Sequence, residues 1–252
     1  MANVFRIYLK NLASTRPINP NDPLAGTLPD SSSYWGEGTR YVIGLGLKEW
    51  FDAVCNPTVE PTSDLDTVQG DSLHSLLPKA KPSDPDVFGN KPSVYRAPQV
   101  MSPQTAYPAT RYTESDFWWD PPASDVTGDS VLIYFLRTSA ESLIVKREPG
   151  FTGLGGGGTT RRIGTGTISE VYVESILQSG TIGNLQALIN VAFHEAMHNK
   201  LRAGNELHSD GGLAAATNRP EDTLNRVNIR KMRAALEIPV IQDAQYLSLQ
   251  YV

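Results

Sequence analysis

VAFHEAMHNKLRAGNELHSDGGL, residues Val191 to Leu213, holds three of the four histidines in the 252-residue chain: His194, His198 and His208. The segment that contains its first part, IGNLQALINVAFHEAMHNKL (Ile182 to Leu201), sets Leu185, Leu188, Ile189, Ala192 and Ala196 at helical spacing. That pattern predicts a helix with one apolar face turned to a core. Positions i and i+4 of a helix lie one turn apart on the same side. His194 and His198 therefore point the same way, and their imidazole nitrogens can share one metal ion. Glu195 lies about 100° further round, within reach of a water on that metal. Zinc suits imidazole ligands and keeps one of four positions open to water. It lowers the pKa of that water toward ~7, and a glutamate can take the proton.

The helix supplies two ligands, so a third has to come from elsewhere. His208 follows His198 by ten residues. A helix running to about Ala203 overshoots the metal by roughly 8 Å at 1.5 Å per residue. Gly204 is the expected stop, and four further residues span roughly 13 Å, enough to bring His208 back. Asp210 is the next candidate, with Glu206 and Glu221 behind it. The bland alternatives are a polar face of an ordinary helix and a purely structural metal site, in which Glu195 has no purpose.

Working outward, the second half of the chain is regular. SVLIYFL (Ser130 to Leu136) is rich in β-branched and aromatic residues and predicts a buried strand. AESLIVKRE (Ala140 to Glu148) reads as a short helix or another strand. GFTGLGGGGTTRRIGTGT (Gly150 to Thr167) reads as a flexible glycine-rich loop. Within it, GLGGGG (Gly153 to Gly158) fits a nucleotide-binding glycine pattern. No helix is expected after it, so that reading is set aside. ISEVYVES (Ile168 to Ser175) alternates as a half-buried strand should. PEDTLNRVNIRKMRAALEI (Pro220 to Ile238) predicts one or two helices. Met232 falls inside that helical pattern.

The first half differs. Fifteen of the 18 prolines lie between Pro17 and Pro122, which predicts extended loops over Arg16–Asp30 and Pro78–Pro108. Tyr34, Trp35, Trp50, Phe51 and DFWWDPP (Asp116 to Pro122) are expected anchors of an ordered, loop-rich layer. VFRIYL (Val4 to Leu9) predicts a strand and LGLKEWFDAV (Leu45 to Val54) a short helix. The expected division is a Pro-rich region, 1–122, and a catalytic domain, 123–252. The first is a pro-segment, a docking layer or an integral part of the same domain.

Strand, HEAMH helix, glycine turn and downstream histidine together resemble the zincin superfamily of zinc metallopeptidases. They look closest to its metzincin branch, whose pattern is H-E-x-x-H-x-x-G-x-x-H. The resemblance covers about residues 130–235, and its specific part is the helix with its turn. It implies an α+β fold with a small twisted sheet packed on the active-site helix, in which ISEVYVES would be the strand lining the cleft. It also implies one zinc held by His194, His198 and His208, and Glu195 as general base in peptide hydrolysis. The chain departs from the branch in spacing: the family's glycine position is Leu201 here, and its third-histidine position is Gly204. An aspartate-liganded zincin using Asp210 is the variant that this departure allows. Some zincins place a tyrosine at the oxyanion, which would fall to Tyr246 or Tyr251.

Composition narrows the classes. Net charge is -5 and no basic stripe is present, which argues against a nucleic-acid partner. No apolar run reaches the roughly 18 residues of a membrane span. Cys55 is the single cysteine, so no intrachain disulfide forms; its alternatives are a buried packing residue or a zinc-capping thiolate. His74 reads as a surface or packing residue. The N-terminus lacks the apolar run of a signal peptide, so the expectation is a cytoplasmic protein or one exported by a signal-independent route. The expected partner is a protein or peptide substrate. The competing class is a non-enzymatic zincin-fold component or cargo of a secretion or phage-like assembly.

Overall fold

A computed structural model of the chain describes residues 4–13, 35, 37–55, 111–177, 184–220, 222–237, 240, 242–245 and 247. Five strands form one sheet: β1 (Val4–Asn11), β2 (Glu114–Trp119), β3 (Ser130–Leu136), β4 (Gly158–Ile163) and β5 (Gly166–Tyr172). Their order across the sheet is β2-β1-β3-β5-β4. All neighbours are parallel except β4, which runs antiparallel to β5 along one edge. The helices are α1 (Glu37–Cys55), α2 (Leu143–Arg147), α3 (Val173–Leu177), α4 (Asn184–Leu201) and α5 (Arg226–Leu236). The class is mixed α+β. Among the described residues, no helix is long and apolar enough to cross a membrane.

Strand alternation divides the core in two. Val131, Ile133 and Phe135 of β3 face one way, packing with Phe5, Ile7 and Leu9 of β1 against α1, α4 and α5. Leu132, Tyr134 and Leu136 face the other way, toward Leu143 and Ile144 of α2. Helices cover both faces, so the strand reads as an uninterrupted apolar run. β5 is also fully buried, not half-exposed as its alternation suggested. Its polar residues have protein partners instead of water: Ser169 meets Asn199 on α4, and Glu170 meets α2. The strand stops at Tyr172, and the last part of ISEVYVES turns into α3.

β1, α1 and β2 come from the Pro-rich region 1–122. β1 lies between β2 and β3, inside the sheet. Trp35, Trp50 and Phe51 are buried in the larger core, and Phe117 and Trp119 pack against it. α1 is nearly twice its expected length and contains Gly44 and Gly46. Both glycines are weak helix formers, but a Cβ there would fall 2.3 Å from the Phe117 ring and 2.6 Å from Ile189. Close helix packing outweighs local propensity. Arg233 of α5 ends α1: its Nε donates to the Val54 carbonyl at 2.8 Å. The loops expected over Arg16–Asp30 and Pro78–Pro108, together with Tyr34, His74, Glu221, Tyr246 and Tyr251, lie outside the described residues.

Candidate metal centre

α4 crosses the sheet face beneath β5 and β4, and its packing decides which way its histidines point. Leu188, Ile189, Ala192 and Ala196 are buried in the core, while Leu185 packs at its margin. His194, Glu195 and His198 line a cavity of about 770 Å³ on the other side of the helix. Arg202 ends the helix at φ +52°, and Gly204, the expected stop, has φ -90°. Arg202 takes the left-handed turn, and Gly204 opens a 3-10 turn, Asn205–Asp210, that carries His208 back.

The three imidazoles converge. Nδ1 of His194 donates to the Leu213 carbonyl at 2.8 Å, and Nδ1 of His198 donates to the Ala203 carbonyl at 2.8 Å. A carbonyl only accepts, so each Nδ1 carries the proton and each Nε2 presents a lone pair. Nε2 of His198 lies 3.0 Å from Nε2 of His194 and 3.2 Å from Nε2 of His208. Two lone pairs so close repel unless a cation sits between them. Zinc bonds of about 2.0–2.1 Å in tetrahedral geometry put ligand nitrogens about 3.3 Å apart. The donor set and its spacing therefore fit zinc.

Burial, reinforced by the His198 and His208 charges and opposed by the Leu213 carbonyl, pushes His194 down to about 3 in the metal-free chain. Burial also lowers His198, against the pull of the Ala203 carbonyl. Neutral imidazole is the form that binds metal. Burial drives Glu195 up to about 8, opposed by a hydrogen bond from Thr160. Its Oε2 has no hydrogen-bond partner, and Glu195 is the one carboxylate among the described residues lining the cavity.

The other candidates are placed elsewhere. Asp210 pairs through Oδ2 with Lys231 Nζ at 2.5 Å. Glu206 accepts from the Gly204 amide. Cys55 is buried in the core at the end of α1, its thiol pushed up to about 12 by burial, and it is not among the side chains that gather. Met232 is buried in α5.

The cleft edge is β4, not the ISEVYVES strand. Gly158 to Ile163 form it out of the stretch that read as flexible loop. Positioning residues that sequence reasoning missed are mostly asparagines. Asn190, one turn before His194, donates to the carbonyls of Arg219 (2.8 Å) and Asp222 (3.1 Å), tying the wall at Ala216–Pro220 to α4. Asn225 and Asn228 donate to the carbonyls of Asp210 and Gly211. They hold the turn after His208, where Gly211 and Gly212 have φ of +65° and +55° and swing the Leu213 carbonyl toward His194. Asn225 also caps α5, a signal that was present in TLNRVN.

No protein-family model, curated protein or solved structure matches this chain.

Proposed function

We propose that the chain is a zinc-dependent metallopeptidase of the zincin type. The observation that carries this reading is the convergence of three imidazole Nε2 atoms beside a buried glutamate that lines a cleft. His194, His198 and His208 would hold one zinc. When bound, zinc lowers the pKa of a water toward ~7 and polarises a substrate carbonyl. The chain's own residues supply the rest. The Leu213 and Ala203 carbonyls fix the imidazole tautomers, as outer partners of metal ligands do. Glu195, whose Oε2 has no hydrogen-bond partner, takes a proton from the attacking water on its carboxylate and hands it to the leaving amine. Burial that raises the carboxylate's proton affinity suits it to both transfers. Cleavage adds one water across one amide bond. A protein or peptide is the expected substrate, because β4 gives the cleft an extended strand as its border.

The test is zinc stoichiometry by elemental analysis on the wild type and on His208→Ala, followed by a peptide-cleavage screen. The expected result is about one zinc per chain, much weakened in the variant, and cleavage by the wild type alone. No zinc in the wild type, even after refolding with metal, overturns the reading. Zinc without turnover on any peptide moves the chain to the class of non-enzymatic components of a larger assembly.

A further inference from the structure

The glycine-rich run that leads into β4 and supplies its first residue, Gly158, contains glycines in different surroundings. A Cβ at Gly156 would meet nothing within 4 Å, and one at Gly157 would make ordinary contacts of 3.4 Å with Ile176 and Val191. A Cβ at Gly158 would fall 2.8 Å from Cγ of Glu195, 2.8 Å from its Oε1 and 2.8 Å from the Glu170 carbonyl oxygen. Carbon atoms in proteins do not approach so closely, so the space a side chain would take at Gly158 is the space the Glu195 side chain occupies. Two residues on, and on the same face of β4, Thr160 Oγ1 donates to the Glu195 backbone carbonyl at 3.0 Å. Thr160 is backed by Ser169, which accepts from Asn199, both at 3.0 Å. One strand thus holds the backbone of Glu195 at Thr160 and seats its side chain at Gly158.

We propose that Gly158 is a positioning residue for Glu195: its missing side chain is the seat that aims the carboxylate into the cleft. The catalytic meaning rests on the reading of Glu195 as general base, but the seat itself does not. With a methyl group at Gly158, the Glu195 carboxylate has to swing away and the approach to the Glu170 carbonyl has to open by a few tenths of an ångström; removing the Glu195 side chain relieves the first clash and leaves only the second.

The test is a double-mutant cycle on the full chain, read by thermal unfolding: wild type, Gly158→Ala, Glu195→Ala and the double variant. Gly156→Ala is the control, expected to leave the unfolding temperature almost unchanged. Gly158→Ala is expected to lower it by several degrees in the wild type and by markedly less when Glu195 is already Ala. Equal losses in the two backgrounds overturn the proposal, because the clash would then be with the ladder alone. If Gly158→Ala does not fold, the double variant is expected to fold. A double variant that fails equally also overturns it. In the peptide assay, Gly158→Ala is expected to lose about tenfold or more in kcat with KM nearly kept. A raised KM at unchanged kcat would overturn the positioning role. Should the wild type cleave nothing, the peptidase reading fails while the cycle still decides the seat.

Discussion

Glu170 and Glu195 are two buried carboxylates on opposite faces of the same sheet, and burial raises the pKa of both. Glu170 points toward α2 and is saturated. It accepts from Ser142 Oγ (2.7 Å), the amides of Leu143 (2.6 Å) and Ile144 (3.0 Å), and Tyr172 Oη (2.8 Å). These amides are the unpaired donors of the first turn of α2, so Glu170 fastens that helix to β5. Glu195 sits against Gly158 at the wall of the cleft, and its Oε2 is buried there without a hydrogen-bond partner. A carboxylate whose lone pairs are all occupied holds structure. One with a vacant lone pair in a cavity, beside three imidazoles, is placed to accept a proton.

The largest effect should come from removing the vacant lone pair's basicity while keeping its shape. Glu195→Gln is expected to lose on the order of 10²–10⁴-fold in peptide cleavage. Zinc content and unfolding temperature should stay near wild type. Unchanged turnover in that variant would break the comparison, because Glu195 would then be as structural as Glu170.

Next in size is Glu170→Ala, which strands four donors in the interior. It should cost roughly 3–5 kcal/mol of stability, measured by urea unfolding, since each buried unsatisfied donor costs about 1–3 kcal/mol before relaxation. Zinc stoichiometry in whatever fraction folds should remain that of the wild type. A loss under about 1 kcal/mol would mean that the α2 anchor contributes little.

A third expectation concerns pH in the chelator-treated protein. The folded pKa of Glu195 is about 8, raised from 4.5, so its contribution is full below 4.5 and is lost as pH rises toward 8. His194 is shifted the opposite way, from 6.5 to about 3, so its contribution is full above 6.5 and is lost as pH falls toward 3. Each proton contributes a slope of at most about 1.4 kcal/mol per pH unit. Urea unfolding across pH 4–9 should show a flatter alkaline side in Glu195→Gln than in the wild type. Identical slopes would remove Glu195 as the titrating group.

The chemistry of the cleft side was the more legible of the two. The spacing of His194 and His198 follows from helix geometry alone, and the loop from Arg202 to His208 is short enough for its reach to be reckoned from chain dimensions. The strands β1 and β3 carry β-branched and aromatic runs that say strand in any context. What stayed hidden depends on partners far away in sequence. β4 looked like loop because Gly158 has no propensity for a strand; its pairing with β5 and its contact with Glu195 are what place it there. Glu170 and Ser169 looked like exposed positions of a half-buried β5, because a buried polar residue and an exposed one are the same letter until the Ser142 and Asn199 partners, on opposite faces of the sheet, are known. α1 reaches further back than Leu45, through Gly44, whose weak helix propensity is outweighed by a close approach to the Phe117 ring that is a tertiary fact.

Asp210 carries the same lesson to the surface, and with the smallest effect. By sequence it competes with His208 for the third ligand position, since both sit in one 3-10 turn. In the fold its Oδ2 pairs with Lys231 Nζ, its backbone carbonyl accepts from Asn225 at 2.9 Å, and it is not among the side chains that gather with the imidazoles. The Lys231 side chain is 47% exposed, so solvent screens the pair and its loss should cost under about 1 kcal/mol. Asp210→Asn is therefore expected to bind one zinc with near wild-type affinity, whereas His208→Ala should bind it much more weakly. The readout is competition against a chromogenic zinc chelator for both variants. If the order reverses, the turn rearranges when metal enters, and Asp210 leaves Lys231 to become the ligand.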